Sequence, residues 1–217
     1  MILLASKSPG RLATLRAAGV EPLVRVSAVD EDTVLHELAD RRRLADLPAP
    51  SPSEQVQALA QAKALDVAAS TDPQEAEVVV GCDSMLEIHG QTVGKPDSAT
   101  QARERWRAMS GSTGTLYTGH FLLRTTDGAI AEGVSSATIR FGSPSQDEIE
   151  AYIASGEPLW CAGAFTIDGL GGAFIEGIDG DPHGVVGISL PLLRRLLADL
   201  GVRWTDLWAP PAGGETD

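Results

Sequence analysis

Lysine is scarce in this chain: 3 of 217 residues, against 14 arginines. With arginine as the default cation, Lys7, Lys63 and Lys95 are each candidates for a role that calls for a compact ammonium rather than a planar fork, although rare residues must also fall somewhere. Cysteine is scarcer still. Cys82 and Cys161 make neither a disulfide framework nor a zinc pattern, so a reducing compartment, the cytoplasm, is expected. Long apolar runs are missing. The run at the N-terminus spans roughly five residues, too short for a signal peptide, and nothing approaches a membrane span. Positive charge is in deficit, with a net charge of −13 and a pI near 4.6. Such an exterior repels phosphate backbones and anionic membranes, which excludes nucleic acid and membrane as partners but not a small anion in a local basic pocket.

What is present reads as one α/β domain over 1–208 with a flexible tail over 209–217. ILLA is a short buried strand, and Ser8-Pro9 an N-cap followed by proline at the first helical position. Leu12 and Leu15 face inward and Gly19 closes the helix. The turn SKSP therefore stands at a strand-to-helix junction, where backbone N–H groups and the positive helix end point at whatever occupies it. EPLVRVSAV alternates like a strand and ends in Asp30, Glu31 and Asp32, and RRRLADLPAP reads as a loop. Ser51, Pro52 and Glu54 form a capping box opening a helix whose apolar stripe is Val56, Leu59, Ala60 and Val67. Lys63 falls in the middle of that stripe, either snorkelling along apolar surface or reaching into a polar cleft.

EVVVGCDSMLEI is a strand buried on both faces that delivers Asp83 at its end, and HGQTVGKP is a hairpin return carrying Lys95. A second capping box, Ser98 to Gln101, opens a helix to Met109. Two strands pair around Asp127-Gly128, and Ser145 with Glu148 caps a helix to Ser155. The glycine-rich run from WCAGAF to HGVVGIS holds short strands and turns, and LPLLRRLLADL is an amphipathic helix closed by Gly201. Strands and helices alternate early and strands cluster later, which predicts an α/β fold with a mixed sheet.

Three features converge: a helix start with Ser6, Ser8 and Arg11, two solitary inward-facing lysines, Lys63 and Lys95, and carboxylates at Asp30-Glu31 and Asp83. Cations, hydroxyls and helix N–H groups suit a polyphosphate. Carboxylates beside them suit a divalent metal or a base that activates water, and together they point to hydrolysis of a nucleotide phosphate bond. Taken alone, an aspartate after a strand is also a common turn cap.

These segments carry a resemblance. SKSPGRLATLRAAGV resembles the S-x-S-P-x-R opening of the Maf family, the septum-formation-inhibitor-like nucleoside triphosphate pyrophosphatases. GCDSMLEIHGQTVGKP is similar to its G-x-D-T…G-K-P segment. EIEAYIASGEPLWCAGAFTIDGLGG and GDPHGVVGISLPLL are similar to its E-I-x-x-Y…E-P…A-G-A-[FY]-x-I-x-G and G-x-x-x-V-[VI]-G stretches, in order from about residue 2 to 200. The resemblance implies a two-lobed mixed-sheet fold around a cleft, related to the inosine-triphosphatase-like pyrophosphatases and often dimeric. It implies hydrolysis of a nucleoside triphosphate to monophosphate and pyrophosphate with a divalent metal, Mg²⁺ or Mn²⁺. Carried over by motif, Asp83 is the general base, and Ser6, Ser8, Arg11, Lys63 and Lys95 hold the phosphates. Asp30 or Glu31 helps to hold metal with Asp83. Lys7 matches no family position.

The chain also departs from the pattern. Members favouring pyrimidine triphosphates resemble S-x-S-P-R-R, with threonine after the aspartate and glutamine in A-G-A-Y-x-I-Q-G; members favouring 7-methylguanosine triphosphate resemble S-x-S-P-W-R. Here those positions hold Gly10, Ser84 and Asp168. Asp168 suits the N1–H and N2–H edge of guanine, or is simply a turn residue before glycine. The family's S-G-R-T-H reads SGSTG, losing an arginine at Ser112 and a histidine at Gly114. Cys82 is expected to be a small core residue, His183 a turn residue, and His36, His89 and His120 exposed or strand-borne. Trp106 and Trp160 are expected to pack, with Trp160 alternatively lining the pocket. The competing class is a nucleotide-binding regulator of cell division without catalysis, against which the carboxylate of Asp83 argues: without a metal, it would only repel a bound triphosphate.

Overall fold

The computed structural model describes residues 1–209. Its strands are β1 (Ile2–Leu4), β2 (Leu23–Val24), β3 (Val78–Ile88), β4 (Gln91–Val93), β5 (Thr113–Arg124), β6 (Ile130–Phe141) and β7 (Ile175–Gly180). They form one mixed sheet in the order β2-β1-β3-β5-β6-β7, with β4 pairing to the far part of β3. β1 is parallel to β2 and β3, and the remaining pairs are antiparallel. The helices are α1 (Pro9–Ala17), α2 (Glu31–Leu44), α3 (Pro52–Ala68), α4 (Ala99–Met109), α5 (Gln146–Ala154), α6 (Pro182–Val186) and α7 (Leu190–Asp199). The expected α/β class with a mixed sheet is what the chain adopts. Among the described residues no helix is long and apolar enough to cross a membrane.

Strand alternation assigns the helices to faces. Val78, Val80 and Cys82 pack against Leu15 of α1 and Leu193, Leu196 and Leu197 of α7. Val79 points the other way, into Ala60, Ala64 and Val67 of α3. Further along β3, Leu86 and Ile88 join Trp106 of α4 and Ile149, Tyr152 and Ile153 of α5. Two apolar cores thus share the same long strands. Asp83 and Ser84 on β3, and Thr118 and His120 on β5, occupy the waist between them.

Local structure departs from expectation where tertiary packing overrides pattern. The alternation of EPLVRVSAV yields only the two residues of β2. The loop expected over 41–50 begins too early: α2 runs on to Leu44, with Arg41, Arg42 and Arg43 in its last turn, where positive charge suits the negative helix terminus. Asp83 does not end its strand but sits in the middle of β3, because β5 pairs with β3 along nearly its whole length. The box at Ser98 is one-sided. Ser98 Oγ accepts from Gln101 N at 3.2 Å, but Gln101 Oε1 accepts from Asp97 N. Trp106 is buried, donating Nε1–H to Ala164 O at 2.8 Å, whereas Trp160 is 79% exposed and does not pack. Of the expected tail, Ala209 is tied by its N–H to Gly19 O, and the rest lies outside the described residues.

One contact sets the height of α3 above the sheet. A Cβ on Gly81 would run into the Ala60 carbonyl oxygen and come within 2.9 Å of Ala64 Cβ, and one on Gly119 would meet Val56 O and, at 2.8 Å, Gln57 N. The helix backbone lies directly on two adjacent strands because neither position carries a side chain. Gly81→Ala is expected to lift α3 and destabilise the fold by ~3 kcal/mol, seen as a lower urea midpoint with little change in slope. A midpoint within experimental scatter of the parent would mean that the helix does not need this close seat.

Candidate active site

The waist residues are reachable because β3 has a break in its pairing. On the side away from β5, β1 pairs with β3 over Val78 to Val80, and Ala5 N bonds Val80 O; β4 takes up the edge from Leu86 onward. Residues 81–85 lie in the notch between, at the carboxyl end of β1, where parallel strands present their ligands. Into this notch turn the loop after β1, the first turn of α2, and Lys63 from α3.

Lys63 answers the question its position raised. It is 9% exposed, and its Nζ lies 2.6 Å from Asp83 Oδ1 and 2.6 Å from Glu31 Oε1. Asp83 is itself only 8% exposed. Burial raises the Asp83 carboxyl above its ordinary range, against the opposing pull of Lys63 and Arg11, and the neighbouring Glu31 charge adds to the rise. For Glu31 burial alone would raise the value, but the hydrogen bond and charge of Lys63, with Lys95 and Arg11 behind it, bring it below the usual carboxylate range. Lys63 engages Asp83 through Oδ1 alone.

Asp30 goes elsewhere. Its oxygens accept from Asp32 N and Thr33 Oγ1 and cap α2, so of the acidic run it is Glu31 that enters the site. Among the described residues no three acidic, histidine or cysteine side chains come together as a metal cluster, so Asp30, Glu31 and Asp83 do not form one.

Ser8 caps α1 and accepts from Arg11 N, while Ser8 N donates to Ser6 Oγ at 3.2 Å. Arg11, 8% exposed, donates from Nε to Gly187 O at 2.7 Å, from Nη1 to Ser6 Oγ at 2.9 Å and from Nη2 to Ser84 Oγ at 3.1 Å. Three of its five N–H groups are thus held by protein and two remain. Gly187, at φ 125°, turns its carbonyl onto that guanidinium. The positions linked to substrate choice fall in two places. A Cβ on Gly10 would lie 3.1 Å from Val186 Cγ1 and 3.7 Å from Asp168 Oδ2, so Gly10 and Asp168 face each other, while Ser84 lies on Arg11. Lys95 is exposed rather than inward-facing, although its charge is felt at Glu31 and at Cys161. Lys7 is exposed as well.

Two groups near the site escaped the sequence reading. Glu157 accepts from Tyr152 OH, Thr166 Oγ1, Leu170 N and Gly171 N, which ties down the loop bearing Asp168. Only the glutamate-proline pair hinted at it. His120, expected merely on a strand, is fully buried: its Nε2 accepts from Ser189 N at 2.9 Å, so its hydrogen sits on Nδ1, 3.1 Å from Thr118 O. Burial pushes its pKa down to about 4. Cys82 lies in the core, its thiol pushed up to about 12 by burial and therefore no nucleophile.

Comparison with other proteins adds a lineage. The profile of a family described as Maf-like protein matches residues 1–200. A protein of Streptomyces coelicolor named nucleoside triphosphate pyrophosphatase is 52% identical over 209 residues, covering 96% of this chain and 95% of that one. A protein of the same name from Rhodococcus opacus is 51% identical, covering 98% of each chain, and one from Mycobacterium ulcerans 47%, covering 96% of each.

The buried histidine makes a pH prediction. Its folded pKa lies below the ordinary 6.5, so between about 6.5 and about 4 the unfolded chain takes up a proton that the folded chain refuses. Stability should fall as pH drops through that window by ~3 kcal/mol more in the parent than in His120→Gln, measured by urea unfolding at its two ends. Parallel losses in the two proteins would mean that the imidazole is not held neutral.

Proposed function

The chain belongs to the Maf-like protein family, and from that premise we propose that it is a nucleoside triphosphate pyrophosphatase, hydrolysing its substrate to nucleoside monophosphate and pyrophosphate. The observation that carries the reading is the buried Asp83, held through one oxygen by Lys63, beside an arginine with two N–H groups to offer. In this reading the polyphosphate lies in the notch, over the first turn of α1. Arg11, Ser6 and Ser8 meet it from that turn, Lys63 from α3 and Lys95 from the segment after β4. Their charges offset the polyanion so that water can approach the α-phosphorus. Asp83 Oδ2 takes the proton of that water, and its raised pKa makes it a stronger base than an exposed aspartate. The O–P bond to the α-phosphorus forms as the bond to the bridging oxygen breaks, and pyrophosphate leaves with that oxygen.

Glu31 and Asp83 suit a hard divalent cation. Two carboxylates converge on one small ammonium, and Mg²⁺ or Mn²⁺ is commonly held by one or two carboxylates together with substrate phosphates rather than by a closed protein cage. Such an ion, when bound, would add positive charge against the phosphate oxygens. At the other end Asp168, facing Gly10, supports a reading in which its carboxylate accepts from the N1–H and N2–H edge of guanine.

The test is pyrophosphate release by the purified protein with Mg²⁺, across the four common triphosphates and 7-methylguanosine triphosphate. Asp83→Asn should lower turnover by roughly 10²- to 10⁴-fold while nucleotide affinity, read by calorimetry, holds within a few-fold. Parental rates in the variant would remove Asp83 from the role of base. Tight binding with no release from any nucleotide would bring forward the binding-protein reading.

A further inference from the structure

At the waist, Ser84 and Thr118 are register partners on β3 and β5, with their hydroxyl oxygens 2.8 Å apart. Thr118 is fully buried, and its Oγ1 donates to Gly184 O at 2.8 Å. A hydroxyl has a single hydrogen, so Thr118 has none left for Ser84, and Ser84 must be the donor between them. Ser84 in turn has no hydrogen left for anything else, and its lone pair accepts from Arg11 Nη2 at 3.1 Å. The direction of every bond is thereby fixed: Arg11 to Ser84 to Thr118 to the carbonyl of Gly184. The far end is anchored too. A Cβ on Gly184 would lie 2.7 Å from Ser135 Oγ, so that backbone is seated against β6, and three residues on Gly187 O takes the Nε–H of the same arginine.

We infer that Ser84 and Thr118 are positioning residues, whose one-way hydrogen-bond relay fixes the Arg11 guanidinium against the phosphate chain, and that Ser84 does not read the base. This rests on the pyrophosphatase reading for the identity of the anion, but not on turnover. It separates the three positions expected to govern substrate choice: Gly10 and Asp168 face one another, whereas the hydroxyl of Ser84 is consumed between Arg11 and Thr118. A threonine at position 84 would retain the hydroxyl and hence the relay; an alanine would leave Arg11 Nη2 and Thr118 each short of a partner.

The discriminating probe is a polyphosphate with no base. Binding of inorganic pyrophosphate with Mg²⁺, measured by calorimetry, should weaken by roughly 5- to 30-fold in Ser84→Ala and in Thr118→Val and be restored within about 2-fold in Ser84→Thr and Thr118→Ser. Across nucleotide substrates KM should rise by a similar factor for all, with the order of preference unchanged. Pyrophosphate affinity at the parental value in Ser84→Ala would overturn the inference, whether or not nucleotide preference changed, and a reordering of substrates would restore Ser84 as a base reader. Should Thr118→Val fail to fold, the Ser84→Ala and Ser84→Thr pair decides alone. Absence of turnover from the parent would count against the pyrophosphatase, while the calorimetric comparison would still judge the relay.

Discussion

Everything at the waist depends on how closely α3 lies on the sheet. Gly81 and Gly119 let the helix backbone rest on the strands themselves, and that height places a lysine four carbons long so that its ammonium meets a carboxylate rising from the next position but one on β3. Raised by a side chain's thickness, the ammonium would either lose Asp83 or be drawn away from Glu31. An aspartate buried to this degree keeps its charge only with such a partner, since removing a carboxylate from water without compensation costs several kcal/mol. The pairing is therefore a condition for keeping a charged carboxylate inside the protein at all. It belongs to helix packing as much as to chemistry.

The electrostatics follow from the same arrangement. In a chain with a net charge of −13, two carboxylates and two cations meet at the notch, so the local balance is close to neutral while the exterior is acidic. A neutral, largely desolvated opening does not attract anions from a distance, but its hydrogen-bond donors act at full strength once one arrives, because little water competes with them. The exposed Lys95 adds positive charge that reaches Glu31.

Local signals are legible where one residue type has one physical use. The caps at Ser8, Ser51 and Ser145 each sit where the serine side chain satisfies a free N–H, and Lys63 was conspicuous because an ammonium interrupts an apolar stripe. Position along a strand was not legible. Asp83 looked terminal because the apolar run ends there, whereas pairing with β5 carries the strand on through Ile88. The acidic run offers Asp30 and Glu31 as equivalent carboxylates, and only the start of α2 distinguishes the capping Asp30 from Glu31, whose side chain reaches Lys63. The relay and the buried His120 were hidden for a different reason. Their partners are Gly184, Gly187 and Ser189, far away in sequence, and backbone carbonyls and amides leave no mark in side-chain patterns.

The break in pairing along β3 has a further meaning for the protein as a solute. An unpaired strand edge invites another chain to add a strand, and edges are commonly protected by being kept short and by carrying inward-pointing charge. Between β1 and β4 the open stretch covers only 81–85, and at its centre a buried carboxylate and ammonium face inward. A foreign strand docking there would have to cover both charges and would gain too few backbone hydrogen bonds in return. An opening of this size, suited to a small, flexible anion, is by the same dimensions closed to a polypeptide, and the notch thereby guards the sheet it interrupts.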